Sequence, residues 1–351
     1  MNYGMPYMGS KSKIAKWIVD MLPAAHTWVE PFAGGCAVTH AAILSGKYKK
    51  FIINDITDSA KVFVDAINGK FKNENRWISR SDFLELKDED AYVRLCFSFG
   101  NDQKTYCYSR EIEPYKRAFH YAVMFNDFKP FEELGIQLNI SKTFNSDYER
   151  RIHIKKHLIA IRKDKHAGDL QSLQSLQSLQ SLQSLQRLQS LQSLESLQSL
   201  ESLQSLERLE RLQRLQSLQS LERLERLQRL QSLQSLESLE RLQSLQPLQL
   251  DYRDVPIPKN DYIVYCDPPY VNTNAYLSSF NHDEFYKWAL SIKNLFISEY
   301  EMPEPFKRIE MRRKTCTFSA LKNDTKKEEG IWVNKKYAER NTSLSMPIFN
   351  K

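Results

Sequence analysis

The residues with the most chemical content stand in one stretch, DYIVYCDPPYVNTNAY, from Asp261 to Tyr276. A run of strand-forming residues, Tyr262 to Tyr265, ends in a carboxylate, two prolines and an aromatic ring: Asp267, Pro268, Pro269 and Tyr270. Consecutive prolines favour extended backbone and lack N–H groups, so carbonyls here are acceptors without a local donor. An exocyclic amino group on a planar ring would satisfy them. It can donate one hydrogen to the Asp267 carboxylate and the other to the Pro268 carbonyl while Tyr270 stacks on the ring. An amine held in this way aims its lone pair at an electrophile, and the group it needs opposite is a methyl donor rather than a hydrolytic water.

Such a cluster must be carried by a strand end, and the flanking sequence supplies the grammar for one. HTWVEPFAGGCAVTHAAIL reads as a strand (Thr27 to Val29), a turn through Ala33, Gly34 and Gly35, and a small-residue helix from about Cys36 to Leu44. In KKFIINDITDSAKVFVDAI, a strand from Phe51 to Ile53 ends in Asn54-Asp55 and passes into a second helix, which completes a βαβ unit. Residues 71–168 loosen into a mixed aromatic and basic region. After residue 250 the strand-then-turn pattern returns; DEFYKWALSIKNLFISEY gives a helix running into a buried strand, and the tail TFSALKNDTKKEEGIWVNKKY resembles a hairpin. The expected organisation is an α/β domain split into halves at 1–70 and 251–351. Between them lie a recognition region, 71–168, and a repeat insert, 169–250. Ligands of open α/β sheets bind beyond the carboxyl ends of the strands, where Asp267 would stand.

The series MPYMGSK, VEPFAGGCAV, IINDITD and IVYCDPPY, in that order, resembles the motif set of Dam-like N6-adenine DNA methyltransferases. The resemblance implies a Rossmann-like methyltransferase sheet, S-adenosyl-L-methionine as cofactor and double-stranded DNA as partner. It further implies that Tyr7, Gly9, Ser10 and Lys11 contribute to the cofactor pocket, as do Glu30, Pro31, Phe32, Ala33, Gly34 and Gly35 at the first strand–helix turn. Asp55 is placed to accept from ribose hydroxyls, Asp251 and Tyr252 match an acid–aromatic pair near the cofactor adenine, and Asp267, Pro268, Pro269 and Tyr270 form the catalytic motif that binds the target base. Plainer readings stand beside these: Asp55 as a helix N-cap, the glycines as an ordinary tight turn, Lys11 as a solvated surface charge. The turn lacks the full G-x-G-x-x-G spacing, which disfavours a dinucleotide site. Within the middle region, Tyr106, Tyr108 and Arg110 are candidates for nucleic-acid contact, chosen for their place in the motif order; a folded core explains the same composition.

From Leu170 to Leu248 leucine recurs at every third position, and the fifteen residues from Leu206 recur identically from Leu221. An α-helix advances about 300° per triplet, so over roughly six triplets the leucines wind around the whole cylinder. Flat strands put successive leucines on opposite faces. A β-solenoid stacks them inward and is the expectation, with a long helix as the alternative. The insert is read as a spacer or accessory surface and a candidate for self-association.

The net charge of +7 suits a polyanionic partner. Five scattered cysteines without a C-x-x-C pair indicate neither a disulfide framework nor a zinc site. No run approaches the roughly 20 apolar residues of a membrane span, so the reading is of a cytoplasmic protein needing neither metal nor membrane. The function expected is site-specific methylation of adenine N6 in DNA. Alternatives are methylation of an RNA base or a protein glutamine, and a catalytically inactive DNA-binding scaffold.

Overall fold

The computed structural model describes residues 3–138, 140, 143–144, 146–158, 219–230, 244–270, 280–315 and 326–334. The chain divides into two compact units: the first comprises Met1–Glu74, Gly100–Asp102 and Arg223–Lys351, the second Asn75–Phe99 and Gln103–Glu222.

The first unit is built on a 7-stranded sheet. Its strands are β1 (Thr27–Glu30), β2 (Lys50–Asn54), β3 (Leu245–Leu248), β4 (Tyr262–Cys266), β5 (Leu295–Glu299), β6 (Phe306–Thr315) and β7 (Lys326–Asn334), in the spatial order β3-β2-β1-β4-β5-β7-β6. The five strands from β3 to β5 run parallel, and β7 pairs antiparallel with both β5 and β6. Strands β1, β4 and β5 are buried along their whole length, as expected of parallel strands covered on both faces. The pairing of β1 with β2 on one side and with β4 on the other sets Val29 opposite both Ile52 and Val264. Chain order reverses between β1 and β4, which is where a crevice opens at the carboxyl ends.

The expected α/β sheet is therefore present, and β1, β2 and β4 end within one or two residues of the strands read from the sequence; the hairpin expected in TFSALKNDTKKEEGIWVNKKY instead pairs β7 with β6, which lies upstream of that stretch. Helix α1 (Ala15–Met21) precedes β1, α2 (Ala37–Ser45) and α3 (Ser59–Ile67) follow β1 and β2, and the helix over His282–Ser291 precedes β5. On one face Val264, Cys266, Phe285, Ala289, Leu295 and Ile297 form a shared core. Gly330 shows why the antiparallel strand has a residue without a side chain. A Cβ there would come within 2.7 Å of Trp332 Nε1, whose N–H donates to the Glu299 carbonyl at 3.0 Å.

Helices α4 (Arg80–Leu86), α5 (Ala91–Phe97), α6 (Glu113–Phe125) and α7 (Lys129–Glu133) belong to the second unit, and residues 147–158 are also helical. Helix α4 begins at a reciprocal capping box: the Ser79 hydroxyl accepts from Asp82 N, and Asp82 accepts from Ser79 N at 3.0 Å.

Most of the repeat lies outside the described residues, and with it most of the solenoid expectation. The parts that are described are not solenoid coils: Gln219–Arg229 is an α-helix and Leu245–Leu248 is β3, an edge strand of the sheet. The physical reason is length. Over four leucines the period-three drift covers only about half a turn of the cylinder, so Leu221, Leu224, Leu227 and Leu230 can all be buried on one broad face. Within the first unit this helix is anchored by Arg226, whose guanidinium donates to the Gly4 carbonyl at 2.7 Å and to the Tyr3 carbonyl.

Candidate active site

The crevice at the carboxyl edge of the sheet holds a cavity of about 360 Å³, within the range of small-molecule sites. Three strand ends and the N-terminal segment build it. Glu30 to Gly35 line it after β1, Asn54 to Thr57 after β2, Asp267 and Pro269 after β4, and Tyr7, Gly9 and Lys11 from the N-terminal motif. Asp251, Tyr252, Phe280 and Glu284 complete the wall. Of the residues singled out from the sequence for this region, Ser10, Pro268 and Tyr270 do not line the cavity. Pro268 is buried, and Tyr270 lies beside Lys11.

The glycine turn is held from both sides. Asp55 Oδ2 accepts from Gly34 N at 2.9 Å, and Asp55 Oδ1 accepts from the Thr57 hydroxyl at 2.7 Å and from Thr57 N at 3.0 Å. Asp55 is therefore not the cap of α3, a position that Asp58 occupies. Burial raises its pKa against those hydrogen bonds. A Cβ on Gly35 would lie 2.6 Å from Tyr7 Cβ and 2.9 Å from the Met5 carbonyl oxygen, and one on Gly34 would lie 3.0 Å from the Tyr7 ring. Gly34 also has φ of +48°, a left-handed conformation that glycine adopts freely. The two glycines thus let the N-terminal motif close over the turn.

The aromatic wall is continuous. The Phe32 ring centroid is 5.1 Å from that of Tyr252 and 5.7 Å from that of Phe280, and Tyr252 also meets Trp288 at 5.1 Å. Asp251 accepts from Arg253 N at 3.0 Å and Arg253 Nε at 2.8 Å; those hydrogen bonds lower its pKa. Glu30 points elsewhere: its Oε2 accepts from Trp28 Nε1 at 3.2 Å and from the Thr39 hydroxyl, and burial pushes its pKa up to about 8.

Opposite the glycine turn, Lys11 is the hub of a charged cluster. It is buried, 4% exposed, and not the solvated surface charge that a lone lysine usually is. Its ammonium lies 2.7 Å from Asp267 Oδ1 and 3.3 Å from Glu329 Oε1, and it donates to the Tyr270 hydroxyl. That hydroxyl in turn donates to Glu329 Oε1, which also accepts from the Ser298 hydroxyl at 2.8 Å. Burial pulls the Lys11 pKa down, but the Asp267 and Glu329 carboxylates outweigh it and hold it above its ordinary value. Burial, then the nearby Asp267 charge, raises the Tyr270 phenol. Burial lifts Glu299 to about 8. On the far side, His282 Nε2 is 2.8 Å from the Pro269 carbonyl oxygen.

Glu329 and Ser298 were not signalled by the sequence; strand pairing brings them together, and Glu329 reaches Lys11. The middle-region candidates also differ from expectation. Tyr106 and Tyr108 are each only 5% exposed. Tyr106 donates to the Ile78 carbonyl at 2.9 Å, the Tyr108 hydroxyl is 2.8 Å from that of Ser220, and Tyr108 stacks on Trp77 at 5.8 Å. They are core residues of the second unit rather than free stacking surfaces, because each hydroxyl has an internal partner. Arg110 is exposed. Among the described residues no group of three or more His, Cys, Asp or Glu could hold a metal ion, and no helix is long and apolar enough to cross a membrane.

No curated protein matches the chain. A family model does: the D12 class N6 adenine-specific DNA methyltransferase model matches residues 7–168. The matched span contains Lys11, the glycine turn and Asp55, and β4, which Asp267 directly follows, pairs with β1 of that span. Through this match residues 7–168 are similar to the D12 class N6 adenine-specific DNA methyltransferase family.

Proposed function

We propose that the protein transfers a methyl group from S-adenosyl-L-methionine to the N6 amino group of an adenine extruded from double-stranded DNA, at sites set by sequence. The observation that carries the reading is the juxtaposition at one crevice of the glycine turn and aromatic wall with Asp267.

The residues present suit the cofactor. The cavity has the volume for a nucleoside with a short polar tail, the Phe32, Tyr252 and Phe280 rings offer faces for its adenine, and Asp251 and Asp55 border the same space as acceptors. Asp55 already accepts two backbone N–H groups, so its role towards a ribose is shared with holding the turn. Bound there, S-adenosyl-L-methionine supplies a methyl group on a sulfonium.

The protein's own residues supply position and charge. One hydrogen of the target amine goes to the Asp267 carboxylate and the other to the Pro268 carbonyl, which turns the nitrogen lone pair towards the cofactor side of the crevice. As the N–C bond forms and the S–C bond breaks, positive charge grows on the nitrogen, and Asp267 lies where that charge develops. The proton released from nitrogen leaves along the hydrogen bond to Asp267, whose side chain is 20% exposed. The chemistry requires the base to leave the duplex stack, since the amine cannot reach such a crevice while paired.

The test is acceptor discrimination. Radiolabelled methyl transfer from S-adenosyl-L-methionine is expected to double-stranded DNA lacking adenine methylation, with little label in transfer RNA or total protein. Label confined to RNA or protein would replace this reading with another acceptor.

A further inference from the structure

Glu329 is buried, 0% exposed, on a strand that belongs to none of the motifs by which the active site was read. We propose that Glu329 is a positioning residue for methyl transfer, which engages Lys11 and fixes Tyr270 so that the cluster beside the target amine keeps a net negative charge. The inference rests on the methyl-transfer reading and adds to it a residue and a role.

The argument is one of charge and geometry. Lys11 stands 2.7 Å from Asp267 and 3.3 Å from Glu329. One cation between two carboxylates leaves a charge of minus one where positive charge must develop on the amine. Were Glu329 neutral, Lys11 would cancel Asp267, and the site would oppose the amine with no net charge. Geometry points the same way. Glu329 Oε1 receives the Tyr270 hydroxyl and the Ser298 hydroxyl, so the ring expected to stack on the base is tied through its oxygen to the sheet. The ring is also braced edge-on by Tyr300 at 4.7 Å. Ser298 sits on β5 and Glu329 on the neighbouring β7, so this anchor is as rigid as the strand pairing itself.

A buried charge cluster of this kind is a poor stabilising device, because desolvation offsets most of the attraction. A variant that removes the charge but keeps the acceptor separates the proposal from a merely structural role. Two variants are compared in the full-length protein: Glu329→Gln, which keeps an acceptor for Tyr270 and Ser298 but removes the charge, and Glu329→Met, which removes both at similar volume. Steady-state methylation of unmethylated double-stranded DNA is followed together with calorimetric binding of S-adenosyl-L-methionine and thermal unfolding.

The expected result is a fall in kcat of at least about tenfold for Glu329→Gln and a larger fall for Glu329→Met. Cofactor affinity should stay within about twofold and the unfolding temperature close to that of the unaltered protein for Glu329→Gln, whereas Glu329→Met, which leaves the Tyr270 and Ser298 hydroxyls without their acceptor, should unfold at a lower temperature. Equal kcat in all three proteins overturns the inference while leaving the methyl-transfer reading intact. So does a loss of kcat that only tracks lost folding or lost cofactor binding. An unaltered protein that methylates no DNA overturns the reading and this inference with it.

Discussion

At the scale of single residues, neighbouring carboxyl groups of the site stand in contrast. Asp267 is paired with a lysine and reaches solvent, whereas Glu30 is sealed under Trp28 and Thr39 with a pKa of about 8. Asp267→Asn keeps the shape of the side chain and removes the charge. It is expected to lower kcat by about 10²- to 10³-fold with cofactor affinity little changed, measured by methyl incorporation alongside calorimetry. Glu30 makes a different prediction. Its folded pKa lies above the ordinary carboxylate value of 4.5, so between about 4.5 and 8 the folded protein keeps a proton that the unfolded chain has released. Stability from this group is present below that window and is lost as pH rises through it. Glu30→Gln should therefore match the unaltered protein near pH 5 and exceed it by at least about 1 kcal/mol at pH 8.5 in urea unfolding. Residues such as Asp267 and Lys11 were legible in the sequence because their neighbours form short, ordered motifs. Glu329 was not, since nothing in KKEEGIWVN sets one glutamate apart; the pairing of β7 with β5 brings it to Ser298, and it reaches Lys11.

At the scale of elements, two short pieces of backbone decide whether the crevice forms. The turn after β1 closes only because Gly35 leaves room for Tyr7, and Gly35→Ala would place a Cβ 2.6 Å from Tyr7 Cβ. The expected cost is about 1–3 kcal/mol of stability, visible as a lower urea midpoint, together with weaker cofactor binding. The helix over Gln219–Arg229 is the second piece. Removing the Arg226 guanidinium leaves the Gly4 and Tyr3 carbonyls without that donor, and Arg226→Ala should cost about 2 kcal/mol. Strands were easy to place from the sequence because runs such as KFIIN and YIVYC are apolar, short and bounded by Asp or Asn. The helical piece of the repeat was harder. Its period of three matches no regular element over many triplets, yet over four leucines the mismatch is small enough for burial. Tyr106 and Tyr108 were hard to place for a related reason, since an interleaved aromatic and basic composition is the same in a folded core as on a nucleic-acid surface.

At the scale of the whole molecule, one sheet is assembled from segments far apart in sequence. Strands β1 and β2 lie before residue 55, and β3 begins at Leu245. The family match ends at residue 168, before the repeat gives way to the strands that complete the crevice. The exact duplication inside the repeat allows a clean deletion. Removing 206–220 recreates the sequence QSLERLERLQR, because Gln204-Ser205 then precede Leu221. A protein lacking these fifteen residues is expected to methylate DNA within about twofold of the unaltered rate, measured side by side. The most direct test of the central claim is mass spectrometry of nucleosides from unmethylated double-stranded DNA incubated with the full-length protein and S-adenosyl-L-methionine carrying a deuterated methyl group. The prediction is N6-methyladenine bearing the deuterated methyl, and none with Asp267→Ala. Label on cytosine, or equal N6-methyladenine from the Asp267→Ala protein, would contradict it.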